Sequence, residues 1–527
     1  MASTYDIQLE FGGGVNSALS DEKILLTEAA AGENFDLDTK SGELRNRAPF
    51  DLVGTTPNTS EVRGFATLLK SDGSVSFLVQ AGNTVYDWDG NTTFTSKGTV
   101  SATAKLRGRI SHNFQLDDKV IITDLNLQQN LMEYDGTTLQ AASVTKNNGA
   151  DAFGDFKAKY CFVANERAFY SNVVETTNTL PHLIVGSRRS NFNDISVSDR
   201  PSSSLGADDP FFLIQPDLRR INGMVEAFNQ VVTSSFRGSI YRLTGSDATD
   251  FAFSELYPFS GADGDESVTY VGNDIFFGRQ GVIESLAATD QFGDVETIDV
   301  SDMIDDDIEN FGGWTIVYNQ RNQRVYHFPE SQSQCLVYYK RLQGQQSPWV
   351  KWTTDHVSNF QPTAVMNMYD PADGLEYVFF GDASGNIYRM EGSGSSGDGG
   401  SSTIRLDYLS KSFSLPLDQE SYQMEGFIEY RGGDAATVEI ILEYFGVNVL
   451  EERVFVDLPA MQGGSYYGSA VYYGGPNYYS ASFEGRFRRQ RFAIAGRSSG
   501  FQVRIRSDSA GNVAIRKVSL QLQGIQT

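Results

Sequence analysis

Val85-Tyr86-Asp87-Trp88-Asp89-Gly90 is one copy of a pattern that returns as LMEYDG at Leu131–Gly136, IYRLTG at Ile240–Gly245 and IYRMEG at Ile387–Gly392. Each copy is a short strand-like run with an aromatic residue, closed by a turn glycine. Weaker copies without the glycine surround Tyr170 and Tyr338. The tyrosines at 86, 134, 170, 241, 338 and 388 are spaced 48, 36, 71, 97 and 50 residues apart. A four-stranded propeller blade takes about 40–50 residues. The spacing of 97 therefore holds two blades, the second marked by DIFFGRQGVIESL at Asp274–Leu286, and 71 holds one blade with an insertion. A sheet unit of this size cannot bury its apolar faces alone, and radial stacking buries them while leaving only short edges. The expectation is an all-β chain, with a β-propeller-like domain of about six or seven blades followed by a C-terminal β-sandwich. A string of separate sandwiches is the competing arrangement.

Working outward, Glu391–Thr403 (EGSGSSGDGGSST) reads as a Gly/Ser-rich linker or loop that cannot pack a core. The charge changes there. Residues 404–527 hold 13 basic and 13 acidic residues, so the first 403 carry the whole net charge of −25. The expected organisation is an N-terminal segment 1–60 packing on the propeller, a propeller over 61–390 with a possible insertion near 175–225, the linker 391–403, and a sandwich over 404–527. In the last part, FQVRIRS alternates Phe501, Val503 and Ile505 with Gln502, Arg504 and Arg506, as a strand does. Two short helices are expected: Asp21–Ala31 behind Ser20, and Asp302–Glu309 behind Ser301.

A charge of −25 on 527 residues argues against a phosphate-binding groove. Cys161 and Cys335 sit in strand-like apolar runs and read as two buried thiols, too few for a disulfide framework. No apolar run is long enough to span a membrane as a helix, and MASTYDIQLEFGGG does not read as a secretory signal.

The chemical motifs fail in context. GRSSG at Gly496–Gly500 has the spacing of a serine nucleophile elbow, yet it joins two strands and no histidine follows. Gly392, Gly394 and Gly397 open a Gly/Ser run rather than a helix. Asp87, Asp89 and Asn91 begin like a calcium loop, but Thr92 stands where glycine is required. His112, His182, His327 and His356 are too scattered to form a helical metal pair. Asp302, Asp305, Asp306 and Asp307 read as the charged face of a short helix rather than a glycosidase pair. No catalytic residue, metal site or cofactor is expected. The one region with the composition of a binding loop is Gly463–Gly485 with the arginines after it. Tyrosine among Ser, Gly and Asn gives contact area at low entropic cost. Tyr466, Tyr467, Tyr472, Tyr473, Tyr478, Tyr479, Arg486, Arg488, Arg489 and Arg491 are the candidate partner contacts.

The N-terminal stretch FGGGVNSALSDEKILLTEAAAGENFDLDTKSGELRNRAPF, with Gly12–Val15, Asn34–Asp36 and Gly42, Leu44, Arg45, Arg47 and Pro49, resembles the opening of tail hub and nozzle proteins of short-tailed bacteriophages. HLIVGSRRSNFNDIS at His182–Ser196, QVVTSSFRGSIYRLTG at Gln230–Gly245, VTYVGNDIFFGRQGVIESL at Val268–Leu286 and the segment Asp299–Ile304 continue the resemblance in order. It implies a non-enzymatic virion structural protein, a β-propeller-containing tail nozzle assembled in the host cytoplasm. Its implied form is a homo-oligomeric ring of six copies, a hexamer, below the portal and attached to the tail adaptor. Tail fibres or spikes are further implied partners, and double-stranded DNA passes through the channel without specific binding. A tailspike-like glycan-degrading enzyme and a receptor-binding or fibre-docking module are the alternatives.

Overall fold

The computed structural model describes residues 4–38, 42–110, 118–146, 151–152, 155–195, 205–227, 230–288, 295–330, 333–342, 346–354, 362–370, 374–392, 398–399, 404–414, 421–432, 436–444, 450–458, 487–496, 500–507 and 513–525. Strands dominate. Seven four-stranded antiparallel units follow one another through these residues. Unit one is Val62–Leu69, Val75–Ala81, Thr84–Trp88 and Phe94–Thr99; unit two runs from Leu106–Ile110 to Leu139–Ala141. Units three, four, five and six begin with Phe156–Ala164, Ile221–Ala227, Val268–Val271 and Thr315–Asn319. Unit seven takes three strands, Ala364–Tyr369, Glu376–Gly381 and Asn386–Arg389, from the end of the series and its fourth, Asp51–Thr55, from before the first unit.

The first strands neighbour one another in cyclic order, and Ala364–Tyr369 returns to Val62–Leu69. The chain is therefore a closed β-propeller, sealed where the Thr363 hydroxyl donates to Val62 O at 2.5 Å and Val62 N donates to Asp382 O at 3.0 Å. Separate apolar clusters fill the spaces between neighbouring units. Phe65, Phe77, Val79 and Trp88 of unit one meet Met368, Phe379 and Ile387 of unit seven, for example. Each unit thus buries on its neighbours the faces it cannot bury alone.

The repeated tyrosine pattern marks the third strand of a unit. Tyr86, Tyr134, Tyr241, Tyr338 and Tyr388 all lie there, whereas Tyr170 lies on the second strand of unit three. Gly90, Gly136 and Gly245 follow with φ of 81°, 89° and 118°, the left-handed backbone that glycine adopts without penalty. Asp274–Leu286 forms the central hairpin of unit five. The long connection in unit three lies between Asn178–Gly186 and Phe211–Ile214.

The sandwich draws on both ends of the chain. One sheet contains Arg488–Gly496, Ser421–Gly432 and Val513–Ile525, and the last of these pairs with Thr4–Glu10 and with Glu43–Asn46. The other contains Leu450–Leu458, Ala436–Tyr444, Gly500–Ser507, Leu406–Ser410 and Ala29–Glu33. Ala29–Glu33 also bridges Trp349–Trp352 of unit six, so sandwich and propeller share a continuous sheet.

Two expectations are corrected here. Segment 1–60 does not simply pack on the propeller: it supplies sandwich strands and the closing strand of unit seven. The expected helix at Asp21–Ala31 is a series of turns leading into the strand Ala29–Glu33. Glu28 accepts from Leu25 N, Asn16 Nδ2 and Ser347 N, and pairing with Leu406–Ser410 overrides the local helical pattern. The second helix is present as a 3-10 turn, Asp302–Ile304, continued by Asp305–Ile308. Ser301 does not cap it; its hydroxyl donates to Asp299 and accepts from Ile283 N.

Candidate functional site

The densest polar constellation lies where propeller, sandwich and the Gly/Ser run meet. Asn34 adopts φ 60°, and its carboxamide is fully used. Nδ2 donates to Thr353 Oγ1 at 2.8 Å and Arg405 O at 3.0 Å, while Oδ1 accepts from Thr353 N at 2.8 Å and Arg47 Nε at 2.9 Å. The Arg47 side chain is wholly buried. Its guanidinium forks onto Asp398 at 2.8 and 2.5 Å, donates to Thr353 O at 2.7 Å and Ala48 O at 3.0 Å, and lies 4.1 Å from the centre of the Phe50 ring. Asp398 also accepts from Phe50 N at 2.9 Å. The linker expectation is corrected to this extent: within 391–403, Asp398 is an anchored core residue.

A second node lies alongside. Arg324 of unit six donates to both oxygens of Asp36 at 2.8 and 3.0 Å and pairs with Glu391. The hydroxyls of Tyr339 and Tyr326 donate to Asp36 and Glu391, each at 2.5 Å. Burial opposes the Arg324 charge, but Asp36 and Glu391 outweigh it and hold the guanidinium above its ordinary range. Burial first, and then the adjacent carboxylate, raises the Tyr326 phenol. Glu391 and Asp398 are the only charged residues of the Gly/Ser run, and both are clamp residues. That isolation in sequence is the signal by which they could have been found.

The neighbouring glycines serve close packing. Gly14 N donates to Ser347 O at 2.7 Å and Val15 N to Trp349 O at 2.7 Å, and a Cβ on Gly14 would fall 1.9 Å from Trp349 O. Glu43, 1% exposed, pairs with Arg45 and with Arg431 at 2.7 Å. The residues that carried the N-terminal pattern thus converge on a rigid joint. Fork-to-carboxylate pairs fix geometry as well as energy there.

Open spaces also lie among the described residues. The propeller's first strands line an axial cavity of about 710 Å³ bearing Lys159, Glu226, Asp265 and Glu266. Lys159 pairs with Asp265 at 2.8 Å, and Tyr160 donates to the same carboxylate at 3.1 Å. The sandwich carries a groove of about 670 Å³ lined by Glu33, Arg405, Asp407, Thr437, Glu439, Phe455, Arg504 and Arg506. Arg504 forks onto Asp407 at 2.7 and 2.7 Å, Arg506 reaches it at 3.0 Å, and Phe455 stands 69% exposed. Among the described residues no three His, Cys, Asp or Glu side chains group to hold a metal ion.

Of the candidate partner contacts, Tyr466, Tyr467, Tyr472, Tyr473, Tyr478, Tyr479 and Arg486 lie outside the described residues. Arg488, Arg489 and Arg491 lie on an edge strand of the sandwich, where Arg489 pairs with Glu429 at 2.6 Å and Arg491 with Glu425 at 2.5 Å. His112 and His356 are likewise outside the described residues. His327 is buried among Phe276, Trp314 and Trp349, and burial pushes its pKa down to about 3. Cys161 and Cys335 are buried and are not joined in a disulfide. Among the described residues no helix is long and apolar enough to cross a membrane.

Fold and joint together define a β-propeller fused to a β-sandwich. No family model matches the chain, and no curated protein matches it. Among solved structures it is similar to the computationally designed Ika8 protein, at 11% identity and TM-score 0.37, covering 64% of this chain and 99% of that one. It is also similar to BBS1N, solved in complex with ARL6DN, at 11% identity and TM-score 0.41, covering 66% and 97%.

Proposed function

We propose that the chain is a non-enzymatic structural subunit of a short-tailed bacteriophage tail, a hub or nozzle that assembles into a ring and continues the DNA-ejection channel below the portal. The observation that carries this reading is the joint. Asn34, Asp36 and Arg47, central to the resemblance, are spent on locking the sandwich, unit six and the Gly/Ser run into one body. A conduit under pressure from passing DNA needs that rigidity, and it needs no catalytic constellation. The acidic balance of the first 403 residues fits a wall that repels phosphate. The tail adaptor, and fibres or spikes, are the proposed partners.

Negative-stain imaging with light-scattering mass on the full-length protein, alone and with the adaptor, tests this. A closed ring of about six copies with a central hole is expected; a protein that stays monomeric under both conditions overturns it. The sandwich groove favours a second reading, a receptor-binding module. An exposed Phe455 beside forked Arg–Asp pairs offers stacking and bidentate contacts to a surface polymer. Loss of host binding with intact assembly on Phe455→Ala would favour it.

A further inference from the structure

The face on which each unit's fourth strand hands over to the next first strand carries two unbalanced patches. The handover 215–220, the turn 236–239 within unit four and the segment 258–263 form one platform. Arg237 N donates to Ala262 O at 3.1 Å, Gly261 N donates to Gly238 O at 2.7 Å, and Arg219 reaches Arg237 O. Leu218, Arg237 and Phe259 there have φ of 56°, 50° and 60°. Bulky residues avoid this region, and strain of this kind collects at contact sites. Leu218 and Phe259 are 64% and 79% exposed. Among the described residues Arg219, Arg220 and Arg237 make no ion pair; Arg220 and Arg237 lie over the Phe236 ring at 4.1 and 5.2 Å instead. Of the platform's two acids, Asp217 is occupied by Gln215, Ser235 and Arg219 N. Asp263 is half-buried, its carboxyl raised by burial against the opposing pull of the Arg237 charge, which leaves three arginines against two acids.

The next handover, from unit five to unit six, lies on the same face and has the opposite character. Asp302, Asp305, Asp306, Asp307 and Glu309 are exposed, and among the described residues none makes an ion pair. Burial, and then repulsion from Asp299, raises the Asp302 and Asp305 carboxyls.

We propose that this face binds a second copy of the same chain across a two-fold axis. Leu218, Phe259, Arg219 and Arg237 of each copy meet the 302–309 segment of the other. Both halves of the contact lie on one face at neighbouring handovers, so a two-fold axis in the plane of that face satisfies both at once. A ring-closing contact needs its two halves on different sides of the subunit. The pairing is therefore separate from ring closure and goes beyond it.

Sedimentation of the full-length protein up to about 100 µM, at low and high salt, tests the pairing. The wild type is expected to pair, more weakly in high salt. Arg237→Glu, Asp306→Arg and Phe259→Asp, each checked for folding by circular dichroism, should each weaken pairing about tenfold or more. The double variant Arg237→Glu/Asp306→Arg should recover much of the loss. Loss of pairing in Arg237→Glu protein that still forms rings supports the proposal and keeps the two contacts apart. A wild type that stays unpaired, or single variants that pair as well as the wild type, overturns it.

Discussion

Replacing Arg47 by methionine is the sharpest test of the joint. The substitution keeps much of the stem and removes a guanidinium whose side chain is 0% exposed, facing an Asp398 side chain that is 1% exposed. Among the described residues Asp398 would keep Phe50 N alone as a donor, and the carbonyls of Ala48 and Thr353 would lose the Arg47 donors. Breaking one side of a buried pair typically costs about 3–5 kcal/mol, because a charge is left without compensation. Urea unfolding should therefore show a loss of that order. Limited proteolysis should show earlier cleavage near Gly392–Thr403, since Asp398 is that run's anchor. Lysine at 47 cannot reproduce the fork and should recover only part of the loss. Arg47→Met with Asp398→Leu should be more stable than Arg47→Met alone, because no buried charge remains. A loss under about 1 kcal/mol for Arg47→Met, with unchanged proteolysis, would refute the claim that the joint rests on this pair.

Three further outcomes follow from the same packing. His327 stays neutral in the fold down to about pH 3, whereas unfolded histidine takes up a proton below about pH 6.5. The unfolded state therefore binds more protons in that window, and stability should fall with pH by about 3 kcal/mol at pH 4.5, a slope that His327→Leu removes in urea titrations across pH. Gly14→Ala sets a Cβ against Trp349 O and should destabilise by roughly 3 kcal/mol in the same assay, whereas Gly73→Ala, with no atom within 4 Å of its Cβ, should cost less despite its φ of 83°. Cys161 and Cys335, 3% and 0% exposed, should resist a thiol reagent in the native protein and react on unfolding; labelling of the native protein would contradict their burial.

The blades were legible because their signal is local. A tyrosine on a third strand and a glycine at positive φ lie a few residues apart, and the same geometry repeats down the chain. The sandwich was legible only in its C-terminal half. Nothing near Thr4–Glu10 announces that its partner is Val513–Ile525, and nothing near Asp51–Thr55 announces Asn386–Arg389. The false helix at Asp21–Ala31 shows the same limit, since strand pairing with Leu406–Ser410 is invisible to a local pattern. The joint was half visible. Asn34, Asp36 and Arg47 stood out in the sequence, but the partners Arg324 of Asp36 and Asp398 of Arg47 lie hundreds of residues away.

The interleaving of the two chain ends also sets the order of synthesis and folding. Thr4–Glu10 leaves the ribosome about 500 residues before its partner strand, a wait of roughly 25–100 s at ordinary elongation rates. The closing strand of unit seven waits for most of that time as well. The nascent chain therefore holds unpaired strand edges while six units fold beside them, and exposed edges invite pairing with other chains. The ring of blades cannot close before Asn386–Arg389 is made, and the sandwich sheet cannot form before Val513–Ile525, so a truncated product cannot pass for a finished subunit.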